Sequence, residues 1–489
     1  MGVQMEEKIP LKSIDLERIF NSNIGDYGYK KTAAPKTLDA EELSGKLEET
    51  YRTDLRRQRD KILYTGGFRR LQDKTQVISA TVSGDHRTRL THTLEVEQIA
   101  ISIANALRLN VDLVSAIALG HDVGHTPFGH AAERKLHNLL EENGGFHHPI
   151  QSVRYLWEKY GCRIEPEIYE GILLHDSDMF EIDKDKAKKQ LSYLKSSNTE
   201  SSKFEEYVRI DEWLNTFPST LEAQVVVWAD KIAYITHDLE DFLSCPAFDN
   251  LKRNDCNIEE QLRNILDTLI DKEEHKTISS LNDYESRDLI RSIIGRLIDA
   301  SARRINDTEE FKQIDVKEMT KQQSLASEND SQNKKYLDSL FINFDKTYRD
   351  KYYSLRKFLD QHYILSPEVQ KSDAKAEYII GWLFEKLTKN YKLMPLEIRD
   401  EVDAAIIVNL DKHKCLDKIY KGLPATEKSV SHLDKAIKEN KDLCIKDCYN
   451  SIKNDIISRK VASYIATMSD TYAENMYRNL TGSTLDFRL

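Results

Sequence analysis

One gap in glycine usage constrains this chain more than any other feature: no glycine occurs from residue 172 to residue 294. Tight hairpin turns draw on glycine for positive φ, so such a stretch suits long helices better than the many short strands of a sandwich or barrel. Across all 489 residues there are 18 glycines and 10 prolines, well under average usage of roughly 7% and 5%. The expectation is a mostly α-helical protein with a sizeable core and two or three substructures around it.

Charge and apolar patterning narrow the partners. The longest apolar runs, such as Val225 to Ala229, fall far short of the ~20 residues that span a bilayer. Met1 to Pro10 carries Glu6 and Glu7 and no apolar core, unlike a secretory signal. We therefore expect no membrane association and a cytoplasmic location. With 71 basic and 82 acidic residues the net charge is −11, which argues against a general nucleic-acid coat. Locally, Arg52 to Lys74 holds eight basic residues against Asp54, Asp60 and Asp73; that excess fits either a small polyanion or a solvated helix face. The six cysteines contain no CxxC pair and read as reduced thiols without a catalytic role.

Helical periodicity begins near Leu43, after a polar arm over 1–42. Leu94, Ile99, Ile103 and Leu107 predict a helix over 90–107, and Leu113, Ile117 and Leu119 a second one capped by Asp112. Val225, Trp228, Ile232 and Ile235 mark a third over 219–242. Residues 183–206, rich in Lys and Ser, read as an exposed excursion. Residues 317–335 read as a mobile linker, and 336–489 as a helical region that packs back on a core over 43–316. No internal repeat, P-loop or GxGxxG is present.

The chemistry is carried by histidine. Eight of the fourteen lie between His86 and His148, and HDVGHTPFGHAAE alone contains His121, His125 and His130 beside Asp122, among Gly120, Gly124 and Gly129. Imidazole and carboxylate together suit a divalent ion such as Mn, Fe, Co, Ni or Zn, with Mg favoured as oxygen ligands increase. His121 and Asp122 cannot close a site alone. His92 in RLTHTLEV and Asp230 in WADKIAYITHDLED would complete four ligands from three helices, with positions left for a water and a substrate oxygen. His130 and Glu133 are i, i+3 on the helix after Pro127, so they share a face and can hydrogen-bond as an acid–base pair. The plainer reading of Glu133 is a carboxylate at a helix N-terminus. Asp230, Tyr234 and Asp238, four residues apart, share one helix face.

These blocks, with RRQRDKILYTGGFRRLQDKTQV, FHHPIQSVR and VASYIATMSDTYAENMY, resemble the HD-domain metal phosphohydrolases. Within them the match is closer to the deoxyguanosine triphosphate triphosphohydrolases and the animal HD-domain dNTP triphosphohydrolases. The resemblance implies a multi-helix HD-domain catalytic core and His92, His121, Asp122 and Asp230 as metal ligands. It implies His130 and Glu133 as the pair activating water, His125 and His148 as phosphate-facing histidines, and Tyr234 and Asp238 against a deoxyribose. Gln76, Arg70, Arg89 and Lys231 match substrate-contacting positions. The implied reaction is attack on the α-phosphate of a dNTP, dGTP first, giving a deoxynucleoside and inorganic tripolyphosphate. A homo-oligomer (tetramer or hexamer) and a nucleotide or single-stranded DNA effector are implied as well. Two alternatives stay open: another HD phosphohydrolase acting on nucleoside monophosphates or signalling nucleotides, and a nucleotide- or single-strand-binding regulator.

Overall fold

A computed structural model describes residues 21–25, 27–30, 52–76, 87–180, 182–191, 204, 207–270, 281, 286–307, 332–410, 413–424 and 427–482. Most of the 1–42 arm, the 192–203 part of the excursion and the 317–331 part of the linker lie outside the described residues. The fold is mostly α. Among the described residues there is no β-strand, only an isolated antiparallel bridge between Thr75 and Thr88. None of the described helices is long and apolar enough to cross a membrane.

Eleven helices position the site, labelled here in chain order: α1 (Asp54–Leu63), α2 (Arg89–Ala106), α3 (Val111–Gly120), α4 (Gly129–Leu139), α5 (His148–Tyr160), α6 (Pro166–Leu173), α7 (Leu221–Ser244), α8 (Lys346–Leu359), α9 (Pro367–Lys389), α10 (Leu443–Ala466) and α11 (Asp470–Thr481). Their starts follow local chemistry. Thr53, Thr88 and Thr220 cap α1, α2 and α7 by accepting from the backbone N–H of the third helical residue. Asn110 caps α3. Asp112 is therefore not the cap expected from the sequence; it sits in the first turn, where its carboxylate accepts from the Thr53 hydroxyl at 2.5 Å.

Helix α3 lies between α1 and α2, and α7 packs along α2. Every residue of α3 from Asp112 to Gly120 is buried, so it runs through the core rather than presenting one apolar stripe. On α2 the core face is Val96, Ile99, Ala100, Ile103 and Ala104, whereas Leu94 points outward, 41% exposed, against the sequence reading. The excursion is not wholly exposed either. Residues Lys184–Leu191 are helical, and Ala187, Gln190 and Leu191 are buried.

Two apolar clusters form. The first runs from Leu55 to Val369, so α8 and residues 336–369 belong to the same core as α1, α2, α3 and α7. The second joins Ala132, Leu136, Leu140 and Phe146 to residues of α9, α10 and α11. The break in packing thus does not fall at residue 336. Helix α4, which follows the HDVGHTPFGH loop, is the element that seats into the second cluster.

That loop is fastened to the far end of the chain. Asp470, at the start of α11, accepts from Thr75 N at 2.9 Å, from the Thr75 hydroxyl at 2.5 Å and from Phe128 N at 2.8 Å. Buried Lys74 donates to the carbonyls of His125 and Ala466. Phe128 and Gly129 both hold positive φ, 57° and 63°; for Phe128 that is strain, tolerated because its surroundings over-determine it. Asp470→Ala should leave these part-buried donors unpaired and cost about 2 kcal/mol in chemical denaturation. A loss below about 0.5 kcal/mol would show that the clasp is not what holds the loop.

Candidate metal and catalytic centre

The first group of side chains forms where α2, α7 and the end of α3 meet. His92 Nε2 lies 3.0 Å from Asp230 Oδ1, and His121 Nε2 lies 3.9 Å from the same oxygen and 3.5 Å from Asp122 Oδ2. His121 Nδ1 donates to the Ala118 carbonyl at 2.6 Å. That bond leaves the Nε2 lone pair bare, and this buried nitrogen has no hydrogen-bond partner. A buried acceptor left unpaired costs stability unless something else satisfies it. Burial alone would drive the carboxyls of Asp122 and Asp230 up. The fixed charges beside them reverse this: the Arg89 guanidinium holds Asp122, and the Lys231 ammonium holds Asp230, well below the usual carboxylate range. Two ionised carboxylates beside bare imidazole nitrogens form a donor set that fits a divalent cation. His92, His121 and Asp230 have ligand atoms within 4.8 Å of one another, as do His121, Asp122 and His175.

The second group adjoins the first across Asp122, whose Oδ1 is 3.8 Å from His148 Nε2. Glu133 is its hub. It accepts from His130 Nδ1 at 3.2 Å, from His148 Nδ1 at 3.0 Å and from His148 N at 2.6 Å. His125 Nε2 is 3.6 Å from the same carboxylate. Pro149 follows His148 in the first turn of α5, where a missing N–H costs nothing. His130 is exposed, whereas His125 and His148 are buried. Gly124 is required here, because a Cβ on it would stand 2.2 Å from Ser152 N.

Burial opposes the imidazolium of His148, yet the Glu133 carboxylate and its hydrogen bond outweigh that and push the group up to about 9. Burial likewise opposes the Glu133 carboxylate, and His148 and His130 hold it well below its usual 4.5. The signs follow. The stabilisation from His148 is complete below its ordinary 6.5 and is lost as pH rises through about 9. That from Glu133 is complete above 4.5 and is lost as pH falls through its lowered value. Thermal melting should therefore decline from neutral pH toward pH 9 and above, and Glu133→Gln should flatten that decline. Parallel wild-type and variant curves over this range would contradict the pairing.

The remaining sequence candidates are spread around these groups. Arg89 is buried and donates to Asp122 Oδ2 at 2.7 Å, with Nε and Nη2 unpartnered. Lys231 Nζ sits between Asp230, at 3.3 Å, and Asp176, at 3.4 Å, so it is already held by two carboxylates. Gln76 is buried with Oε1 unpartnered, and Arg70 lies over the Tyr155 ring at 5.5 Å. Tyr234 and Asp238 converge on Arg356 of α8. The guanidinium is 4.5 Å from the Tyr234 ring centre and 3.2 Å from Asp238 Oδ2, while buried Asp238 Oδ1 has no partner. In the basic segment, read from the sequence as facing either a small polyanion or solvent, several arginines have local carboxylate partners: Arg52 pairs with Asp60, Arg57 with Asp54, and Arg59 with Asp60 and Glu97.

Sequence reasoning missed His175, Asp176 and Arg356. The His175 ring lies 5.0 Å from that of His121 and 5.2 Å from that of His148. A second His-Asp doublet, GILLHDSD, was its signal.

Residues 89–235 match the HD domain, and residues 342–413 match a phosphohydrolase-associated domain. A deoxyguanosinetriphosphate triphosphohydrolase-like protein of Rickettsia bellii is 33% identical over 373 residues, 73% of this chain and 85% of that protein. The chain belongs to this deoxyguanosinetriphosphate triphosphohydrolase-like family of HD-domain phosphohydrolases. Like-named relatives include one from Geobacter sulfurreducens, 30% identical over 73% of this chain and 83% of the relative. Another, from Caldanaerobacter subterraneus, is 41% identical over 43% of this chain and 53% of the relative. The HD match runs from Arg89 to Ile235 and so includes all four candidate ligands and the whole Glu133 hub.

Proposed function

We propose that this phosphohydrolase cleaves deoxynucleoside triphosphates, dGTP first, to a deoxynucleoside and intact tripolyphosphate. The observation that carries the reading is the join at Asp122 between the His92–His121–Asp230 group and the Glu133 hub. A site for a cation and a site for proton transfer share one wall. In this reading His92, His121, Asp122 and Asp230 hold a divalent ion, Mn, Mg or another first-row metal. Once bound, that ion supplies a Lewis acid for a phosphate oxygen and lowers the pKa of an attacking water. The like names of the relatives support the substrate class.

The chain's own residues supply the rest. The free Nε and Nη2 of Arg89 are donors for phosphate oxygens, with Lys231, Arg70 and the imidazoles of His125 and His148 around them. Glu133 orients His130, which moves the proton: the new bond joins water oxygen to Pα, the Pα–O5′ bond breaks, and O5′ takes the proton. Tyr234 packs under C2′ of the sugar, and Gln76 and Asp238 Oδ1 hydrogen-bond it. Cytoplasmic location, homo-oligomer formation and control by a nucleotide or single-stranded DNA belong to the same reading on the family resemblance.

Each dNTP, each rNTP, the nucleoside monophosphates and a guanosine polyphosphate, incubated in turn with Mn or Mg, test the reading. Turnover confined to dNTPs is expected; turnover confined to monophosphates or the polyphosphate would replace it. Sugar selection makes a sharper prediction. An apolar surface rejects an added hydroxyl by about 10²-fold, so Tyr234→Ala should raise GTP turnover relative to dGTP by at least about tenfold. Equal use of both sugars by the wild type would remove the role given to Tyr234.

A further inference from the structure

A chain of imidazoles leads away from the candidate metal site. His92 Nδ1 meets Nδ1 of His237 at 3.3 Å, and His237 Nε2 in turn meets the Glu95 carboxylate. Glu95 lies three residues after His92 on α2, and His237 lies seven after Asp230 on α7, so both partners come from the helices that carry the ligands. His92 and His237 are buried, and the side chain of Glu95 is 45% exposed.

The direction of this chain follows from its outer end. An ionised carboxylate only accepts, so His237 carries its proton on Nε2 and turns a bare Nδ1 toward His92. Nδ1 of His92 must then carry the proton that fills the contact. A neutral imidazole has one N–H, so Nε2 of His92 is left as a lone pair facing Asp230 and His121. His92 has a competing state. Its Nε2 is 3.0 Å from Asp230 Oδ1, and in the other tautomer it would donate to that carboxylate, consuming two ligands in one hydrogen bond. The Glu95–His237 chain disfavours that tautomer.

We propose that Glu95 and His237 are positioning residues that hold His92 in its metal-binding tautomer. The proposal rests on the reading of His92 and Asp230 as ligands. His237 touches no ligand atom of the site, and its effect passes through His92. The same contact also orients the His92 ring, because α7 supplies a partner at each nitrogen, His237 at Nδ1 and Asp230 at Nε2.

The test is titration of the full-length protein with Mn²⁺, read as metal affinity. His237→Phe removes the acceptor at similar volume and should raise the dissociation constant by about 10- to 100-fold, the range for outer partners of metal-bound histidine. Glu95→Gln retains a carbonyl that accepts from His237 and should bind within about threefold of wild type. Thermal melting accompanies each titration; if His237→Phe does not fold, Glu95→Ala, at a half-exposed position, is expected to weaken binding in the same direction. Wild-type affinity in a folded His237→Phe, or in Glu95→Ala where that variant is the one tested, overturns the proposal. Asp230→Ala is the control that separates the two levels: if it too binds Mn²⁺ normally, the ligand reading has failed rather than the positioning role alone.

Discussion

Glu133→Gln is expected to keep its metal and its nucleotide while losing about 10²- to 10⁴-fold in turnover, the span of general acid–base participation. Glu133 accepts from three donors at once, two imidazole nitrogens and the backbone N–H of His148. A glutamine presents one carbonyl and one NH₂, so at least one of those donors would face another donor. His130 would lose its orientation and His148 the charge that sustains its imidazolium. Single-turnover kinetics beside an equilibrium binding curve check this. Near wild-type turnover would reduce Glu133 to a carboxylate at the N-terminus of α4.

Asp230→Ala should have the other large effect, through the metal rather than the proton. Its Oδ1 faces His92 and His121, and its Oδ2 faces Lys231. Removing it deletes a ligand and also the negative charge that offsets the Lys231 ammonium, so cation binding is disfavoured twice. Metal affinity should fall by about 10²-fold or more, with turnover falling in parallel. Elemental analysis of the purified variant reads this directly. Full occupancy would remove Asp230 from the ligand set.

Local chemistry was readable from the chain, and long-range pairing was not. HDVGHTPFGHAAE and the i, i+3 spacing of His130 and Glu133 predicted a hydrogen bond that the structure contains. The helices over 90–107 and 219–242 appear as α2 and α7, with ends moved by one or two residues, because caps rather than apolar periodicity set the ends. Helix α3 was readable as a helix but not as one buried all round, since periodicity reports one face and its polar residues, Asp112 and Ser115, are satisfied internally. Glu133 appeared as the partner of one histidine and is the partner of two, because the approach of His148 depends on how α5 returns to α4. Arg356 reaches Asp238 across 118 positions, and Asp470 reaches Phe128 across 342. No spacing rule connects residues so far apart; only the packing of α8 on α7, and of α11 beside the HDVGHTPFGH loop, brings them together.

The central claim is release of tripolyphosphate in one step by attack at the α-phosphorus. Incubation of the metal-loaded protein with dGTP in H₂¹⁸O, followed by ³¹P NMR and mass analysis of the products, tests it most directly. The account predicts deoxyguanosine without label and intact tripolyphosphate carrying one ¹⁸O. Orthophosphate or pyrophosphate as the first product, or label in the deoxyguanosine, would contradict it.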